Sequence, residues 1–172
     1  GIIISASHNL AEYNGIKIVK KQAKISAFAE SAITQLYQQE KFNNNMPKNS
    51  LKSYDQANQL YQIFITAWFE ANFLQGKKIV IDCAHGATYK IAPKIFENFG
   101  AEIITINNNP DGHNINLQCG STYSKSIVDA VLINQAEWGV SFDGDGDRVI
   151  IVDKNGQIYD GSGDKTNEFI VL

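Results

Sequence analysis

Three carboxylates fall within five residues in Asp143-Gly144-Asp145-Gly146-Asp147, and Arg148 follows them directly. Like charges that close repel one another, so a fold that holds them together must offset the repulsion. A hard divalent cation with oxygen ligands does so. The interleaved glycines let the backbone curl until alternate carboxylates converge. Three protein carboxylates leave coordination positions open, which magnesium fills with water or a phosphate oxygen. An EF-hand is excluded: counted from Asp143, the sixth residue is Arg148 rather than Gly and the twelfth is Lys154 rather than Glu. A solvated acidic turn is the plainer alternative, because Asp and Gly are turn formers.

A second cluster, Ser5-Ala6-Ser7-His8-Asn9, follows an apolar run and precedes Asn14-Gly15-Ile16-Lys17. A serine at a strand end beside a histidine is a candidate nucleophile with a neighbouring base. Ser and Asn at strand ends are also ordinary turn formers. A Ser-His-Asp hydrolase is disfavoured because the G-x-S-x-G elbow is absent. Adjacent Ser and His also rarely face each other. The third stretch, Pro110-Asp111-Gly112-His113-Asn114-Ile115-Asn116 then Cys119-Gly120-Ser121-Thr122, has the composition of a long ordered loop. It suggests no reaction, and His113 suits a structural role as well as a functional one.

The elements that must position these residues follow from periodicity. Ile2 to Ala6 reads as a buried-type strand, and Asn14-Gly15 turns the chain into a second strand, Ile16 to Lys20, in a hairpin-like pair. Ser26 caps a helix predicted to run to about Phe42. Residues 43–50 are polar with Pro47 and form the best linker. A long amphipathic helix is expected from about Tyr54 to Phe73, with Ala57, Leu60, Tyr61, Phe64, Ile65, Trp68 and Phe69 on one stripe packed against a core. From Gly76 strands and helices alternate. Strands are expected at Lys78–Cys83, Glu102–Ile106 and Trp138–Phe142, and helices at Ala87–Phe99, bent at Pro93, and Ser124–Gln135. That pattern predicts an α/β fold whose mixed, mostly parallel sheets carry flanking helices. Val149–Val152 and Gln157–Tyr159 flank Asp153-Lys154-Asn155-Gly156, a hairpin signal. Both ligand candidates thus follow strands, where open α/β sheets place their ligands.

The 172 residues are 44% hydrophobic and 19% charged, a globular composition sufficient for one full domain and parts of others. Fifteen basic against eighteen acidic residues, with no basic stripe, argue against a nucleic-acid partner. The apolar runs are far shorter than the roughly 20 residues of a membrane span. Cys83 and Cys119 form no CxxC pair, so zinc is disfavoured and reduced thiols in a cytoplasmic protein are expected. Gly1-Ile2-Ile3-Ile4 has neither a basic leader nor an initiator Met, and the chain stops inside an apolar helical pattern at 167–172. We therefore expect a piece of a longer protein.

The serine cluster, the Asn14–Lys17 segment and the Asp143–Arg148 loop together resemble the α-D-phosphohexomutase superfamily. Asp82-Cys83-Ala84-His85-Gly86-Ala87-Thr88-Tyr89 and the Pro110–Thr122 stretch are most similar to its bacterial phosphoglucosamine mutase branch. The likeness runs over nearly the whole chain in the family's order. It implies that Ser7 carries a phosphoryl group. It implies that Asp143, Asp145 and Asp147 bind Mg2+, with an oxygen of phospho-Ser7 completing the site. It implies Lys17 as a general acid/base, and His8 and Arg148 as groups that hold and polarise the phosphoryl.

The implied reaction interconverts glucosamine 6-phosphate and glucosamine 1-phosphate through a bisphosphorylated intermediate, feeding amino-sugar and cell-wall precursor synthesis. The implied partner is a small phosphosugar. The resemblance also implies a division into residues 1–53 from the end of a first domain, 54–159 as a second, and 160–172 as the start of a third. On that division the family's sugar-recognition and second phosphate-binding loops lie outside the chain, which alone should not turn over substrate. Three positions depart from the family pattern. Leu10 stands where Pro is usual and loosens the loop behind Ser7. His85 replaces a common Asn, and Asp160-Gly161-Ser162-Gly163-Asp164 is longer than the usual Asp-Gly-Asp. Alternatives are a phosphomannomutase or phosphoglucomutase of the same superfamily, a non-catalytic binding module derived from the fold, and a magnesium-dependent phosphatase.

Overall fold

The computed structural model of the chain describes residues 1–21, 23–39, 52–54 and 56–160. The chain divides into two compact units, one comprising Gly1–Ser5 with Gly15–Asp55, the other Ala6–Asn14 with Gln56–Leu172. The serine loop 6–14 thus groups with the second unit rather than with the strands that flank it.

In the first unit, β1 (Ile2–Ile4) pairs antiparallel with β2 (Ile16–Lys20), Ile2 opposite Ile18 and Ile4 opposite Ile16. β2 then pairs with β3 (Ala23–Lys24). Helix α1 (Ala27–Gln38) starts where the sequence places it: the Ser26 hydroxyl accepts the Ala29 N–H at 3.2 Å, a cap worth about 1 kcal/mol. The expected hairpin-like pairing is present. The expected burial of the first strand is not, since Ile2 and Ile4 are 68% and 73% exposed. The strand also stops at Ile4, and α1 buries none of its residues. Three short strands and one helix offer too little surface to cover both faces of such a sheet. Residues 40–42 of the expected helix and the 43–50 linker lie outside the described residues, as do the 161–172 segment and its helical pattern.

The second unit contains α2 (Ala57–Thr66), β4 (Lys78–Asp82), a single 3-10 turn at Ala87–Tyr89 and α3 (Ile91–Asn98). After these come β5 (Glu102–Ile106), α4 (Lys125–Asn134), β6 (Trp138–Phe142), β7 (Val149–Asp153) and β8 (Ile158–Tyr159). The sheet order is β5-β4-β6-β7-β8. β4 runs parallel to both β5 and β6, whereas β6–β7 and β7–β8 are antiparallel. The sheet is therefore mixed, with parallel pairing confined to the strands joined by helical crossovers. Tight connections allow only antiparallel neighbours, and β7 and β8 are joined by the predicted Asp153–Gly156 turn. There the Asp153 carboxylate accepts the N–H groups of Asn155 and Gln157, both at 2.9 Å.

β4 is the axis of the unit. Its Ile79 and Ile81 face one core cluster with Leu74, Ala92, Ile95, Phe99 and Val140. Its Val80 faces the other, with Ile127, Val131, Ile150 and Val152. Successive side chains point to opposite faces of a strand, so a continuous apolar run marks a strand covered on both sides. Full burial of each contributes about 1.5–3 kcal/mol.

Two helices differ from expectation. α2 ends at Thr66 rather than near Phe73, and Leu60, Phe64 and Trp68 are 50%, 57% and 73% exposed rather than packed on a core. Its core contact is Ile65. Beyond Thr66 the chain turns, with Asn72 at φ 58°, and brings Phe73 onto Phe99 with ring centroids 4.7 Å apart. That aromatic contact replaces the straight continuation of the helix. Pro93 is the third residue of α3, whose start is separated from Ala87–Tyr89. In a first turn the missing N–H has no intrahelical acceptor anyway, so Pro93 opens a helix rather than bending one.

The chain crosses from β5 over β4 to reach β6, so the strand order reverses between β4 and β6. In open α/β sheets, the carboxyl ends beside such a reversal form the ligand crevice. Those ends lead into Cys83–Gly86 and Asp143–Arg148.

Candidate active site

Asp143 is fully buried and its charge is met from several sides. Oδ1 accepts the backbone N–H groups of Gly146 and Arg148, each at 3.1 Å. Oδ2 accepts from the Arg148 guanidinium Nε at 3.2 Å and from the Ser7 hydroxyl at 3.3 Å. A buried carboxylate requires such compensation, because unpaired it would be strongly destabilising. Arg148 also reaches Ser7 directly, Nη2 donating to Oγ at 3.4 Å. Ser7 is thus fixed between a carboxylate and a guanidinium that are 136 and 141 residues away in sequence.

Asp145 is half-buried and Asp147 has a side chain 62% exposed. One ligand oxygen from each of Asp143, Asp145 and Asp147 lies within 4.8 Å of the others. The Asp147 carboxyl is held above its ordinary value, by partial desolvation first and then by the charges of Asp143 and Asp145. With so exposed a side chain, the neighbouring charges outweigh desolvation. The donor set, three hard carboxylate oxygens beside a single guanidinium, fits a hard divalent cation.

The loops around this centre are interlocked. The Gly144 carbonyl accepts the Ala87 N–H at 2.8 Å, and an added Cβ on Gly86 would sit 2.3 Å from that oxygen. Gly86 is therefore a close-approach glycine. The Asp82 carboxylate, fully buried, accepts from Ala84 N at 2.9 Å and Gly120 N at 3.0 Å. Burial raises the Asp82 carboxyl above its usual range while those two hydrogen bonds pull it down. Asn116 donates its backbone N–H to the Ala84 carbonyl at 2.9 Å. Its side-chain Nδ2 donates to the Ser7 and Asn9 carbonyls at 3.1 and 2.9 Å. His85, at φ 49°, accepts the Asn109 N–H on Nδ1 at 3.2 Å. Both cysteines are buried free thiols. Burial, with the Asp82 carboxylate nearby, pushes each up to about 12.

Of the residues singled out in the sequence, the structure gathers Ser7, Asp143, Asp145, Asp147 and Arg148. His8 is exposed on the serine loop. Lys17 belongs to the other unit, half-buried on β2 opposite Ile3. Leu10 is 41% exposed, its carbonyl accepting the Tyr13 N–H at 3.0 Å in a turn. Sequence reasoning missed Asp82 and Asn116. A carboxylate closing an otherwise apolar strand was a signal for Asp82. Asn116 is indistinguishable from its turn-forming neighbours until the serine loop is seen against it.

Among the described residues no helix is long and apolar enough to cross a membrane. Residues 1–44 match the family model for phosphoglucomutase/phosphomannomutase alpha/beta/alpha domain I, and residues 57–156 the model for domain II. The chain is 43% identical over 167 residues to a phosphoglucosamine mutase of Caldicellulosiruptor bescii, covering 94% of this chain and 37% of that one. It is 45% identical over 164 residues to that of Methylobacillus flagellatus, covering 94% and 36%. The chain thus spans little more than a third of these relatives' length. A phosphoglucomutase/phosphomannomutase family protein of Burkholderia thailandensis superposes with a TM-score of 0.73 at 27% identity, over 91% of this chain and 34% of that one. An N-acetylglucosamine-phosphate mutase at 17% identity and a TM-score of 0.59, over 91% and 51%, shares the fold. The family's first two domain models are thus met in order along one polypeptide, and the chain belongs to the phosphoglucomutase/phosphomannomutase family.

Proposed function

We propose that this chain is part of a phosphosugar mutase that interconverts glucosamine 6-phosphate and glucosamine 1-phosphate. Ser7 carries the phosphoryl group, and between the two transfers the sugar, as a bisphosphate, turns over in the site. In the first transfer the bond between the Ser7 oxygen and phosphorus breaks as a sugar hydroxyl attacks in line, and the released Ser7 oxygen takes up a proton from solvent to become a hydroxyl. The sugar hydroxyl's proton passes to a base, the role assigned to Lys17. Arg148, 3.4 Å from the Ser7 oxygen, balances charge on the moving phosphoryl, and His8 helps to hold it. Phosphoryl transfer depends on such positioning and charge neutralisation more than on covalent activation. Asp143, Asp145 and Asp147 would hold Mg2+, which when bound neutralises charge developing on the phosphoryl oxygens. In the second transfer the other phosphate of the bisphosphate returns to Ser7, restoring the phosphoserine.

The observation that carries this reading is the meeting of the Ser7 hydroxyl with Asp143 and Arg148 across 136 and 141 residues of sequence. An acidic turn alone would not gather a hydroxyl and a guanidinium. The reading assigns residues 1–53 to the end of a first domain, 54–159 to a second and 160–172 to a third. It places the protein in the cytoplasm, in keeping with two buried, unpaired thiols. Substrate recognition requires parts found in the longer relatives, so this stretch by itself should be inactive.

The test is the intact mass of the full-length protein with and without Ser7→Ala. A phosphorylated species that disappears in the variant supports a mutase. A protein that is never phosphorylated and has no affinity for magnesium refutes it in favour of a binding module. Assays on glucosamine, glucose and mannose phosphates then separate the three mutase activities, the alternative being a phosphomannomutase or phosphoglucomutase.

A further inference from the structure

The loop between β5 and α4 has no part in the chemistry above, yet its Asn116 grips the serine loop. Nδ2 donates to the Ser7 carbonyl at 3.1 Å and the Asn9 carbonyl at 2.9 Å, bracketing His8. The residue is only 5% exposed, and its own N–H is tied to the Ala84 carbonyl at the end of β4. Its Oδ1 is buried and accepts no hydrogen bond from any described residue. The polar work of this amide therefore lies in its two N–H groups. Ser7 sits at φ 53°, a left-handed conformation that a serine seldom keeps without outside support. Asn116 is itself at φ 58°, which asparagine tolerates better than most residues.

We infer that Asn116 is a positioning residue: by clasping the carbonyls of Ser7 and Asn9 it holds Ser7 in the left-handed conformation that presents its hydroxyl to Asp143 and Arg148. Gly144 makes the clasp possible, since a Cβ there would lie 2.5 Å from Nδ2 and 2.7 Å from the Ser7 carbonyl oxygen. The catalytic consequence rests on the proposed role of Ser7, whereas the loop geometry does not.

Two variants of the full-length protein test this. Asn116→Asp keeps the shape and loses the donors, and Asn116→Gly accepts the left-handed backbone and removes the amide. Hydrogen exchange of peptides spanning residues 6–14 should accelerate about tenfold or more, with exchange in the β4 and β6 peptides unchanged. In the same variants kcat on glucosamine 6-phosphate should fall about 10- to 100-fold with KM altered less than about twofold, as expected for a misplaced reacting group. Unchanged loop exchange in both variants overturns the inference. Acceleration spread evenly over the unit, or failure to fold, overturns it too, because either makes Asn116 a general support. If the loop loosens selectively but wild-type protein carries no phosphate on Ser7, the positioning role stands and the mutase reading falls.

Discussion

Gly144→Ala is the substitution on which the site geometry makes its sharpest demand. The glycine lies in the metal-type loop with the Ser7 carbonyl oxygen 2.7 Å from where a Cβ would be, and the Asn116 Nδ2 at 2.5 Å. Ordinary contact starts at 3.4 Å, so the Ser7 backbone must retreat by about 3.4 − 2.7 = 0.7 Å. The hydroxyl of Ser7 is 3.3 Å from Asp143, already long for an O–H···O bond. A retreat of that size carries it to about 4.0 Å, beyond hydrogen bonding. Overpacking of this kind destabilises by about 1–3 kcal/mol, and each lost hydrogen bond adds about 0.5–1.5 kcal/mol. Gly112→Ala is the control: its φ of +90° makes alanine strained, but nothing lies within 4 Å of the new Cβ. Urea unfolding of the full-length protein should show both variants destabilised. Hydrogen exchange should show the 6–14 loop loosened in Gly144→Ala alone. If that loop exchanges as in wild type in Gly144→Ala, the close packing of the serine and metal loops is wrong.

Other outcomes follow from the charges and buried groups. Asp147→Asn should weaken Mg2+ binding at least about tenfold by calorimetry, since one of three carboxylates is lost. Its effect on the metal-free protein has the opposite sign. The Asp147 carboxyl is raised above its ordinary value, so the folded state holds its proton over a window in which the unfolded chain has released it. Through that window the group's contribution to stability declines as pH rises. Urea unfolding in chelator should therefore show the variant gaining on wild type as pH rises above the ordinary carboxylate range, by a small margin given the group's exposure. Asp82→Ala leaves the buried N–H groups of Ala84 and Gly120 without their acceptor, and should cost about 2–5 kcal/mol in the same assay. Both thiols, pushed up to about 12, should be inert to a thiol reagent at about pH 8 in the folded protein and react once it is unfolded.

Much of the second unit was legible because its signals are local and agree. The run Ile79–Ile81 is apolar on both faces, and the strand Lys78–Asp82 falls around it. The Asp153–Gly156 turn chemistry gives the β7–β8 hairpin. The Asp143–Asp147 spacing was enough to suggest converging carboxylates. The misreadings fall where distant contacts decide. Nothing local after Thr66 forbids helix, and it is the packing of Phe73 on Phe99 that ends it. Pro93 was read by its interior position in a run of helix formers, but the break at Lys90 makes that position a first turn. The exposure of Ile2 and Ile4 follows from how little structure lies over a strand, which its own composition does not report. Asn116 was illegible for the same reason, since its partners lie 107 and 109 residues away.

That separation has a consequence for synthesis. A ribosome adding about 5–20 residues per second makes Ser7 roughly 7–27 s before Asp143, 136 residues later. For the first 109 of those residues the nascent loop has neither the carboxylate nor the clasping amide, and until Asp143 is made the serine is an ordinary hydroxyl without its carboxylate partner. A modifying reagent or kinase that meets the growing chain then encounters a different group from the one in the finished protein. The hydrogen-bonded setting of Ser7 is thus acquired late, when β6 joins the sheet and its trailing loop closes over residues translated long before.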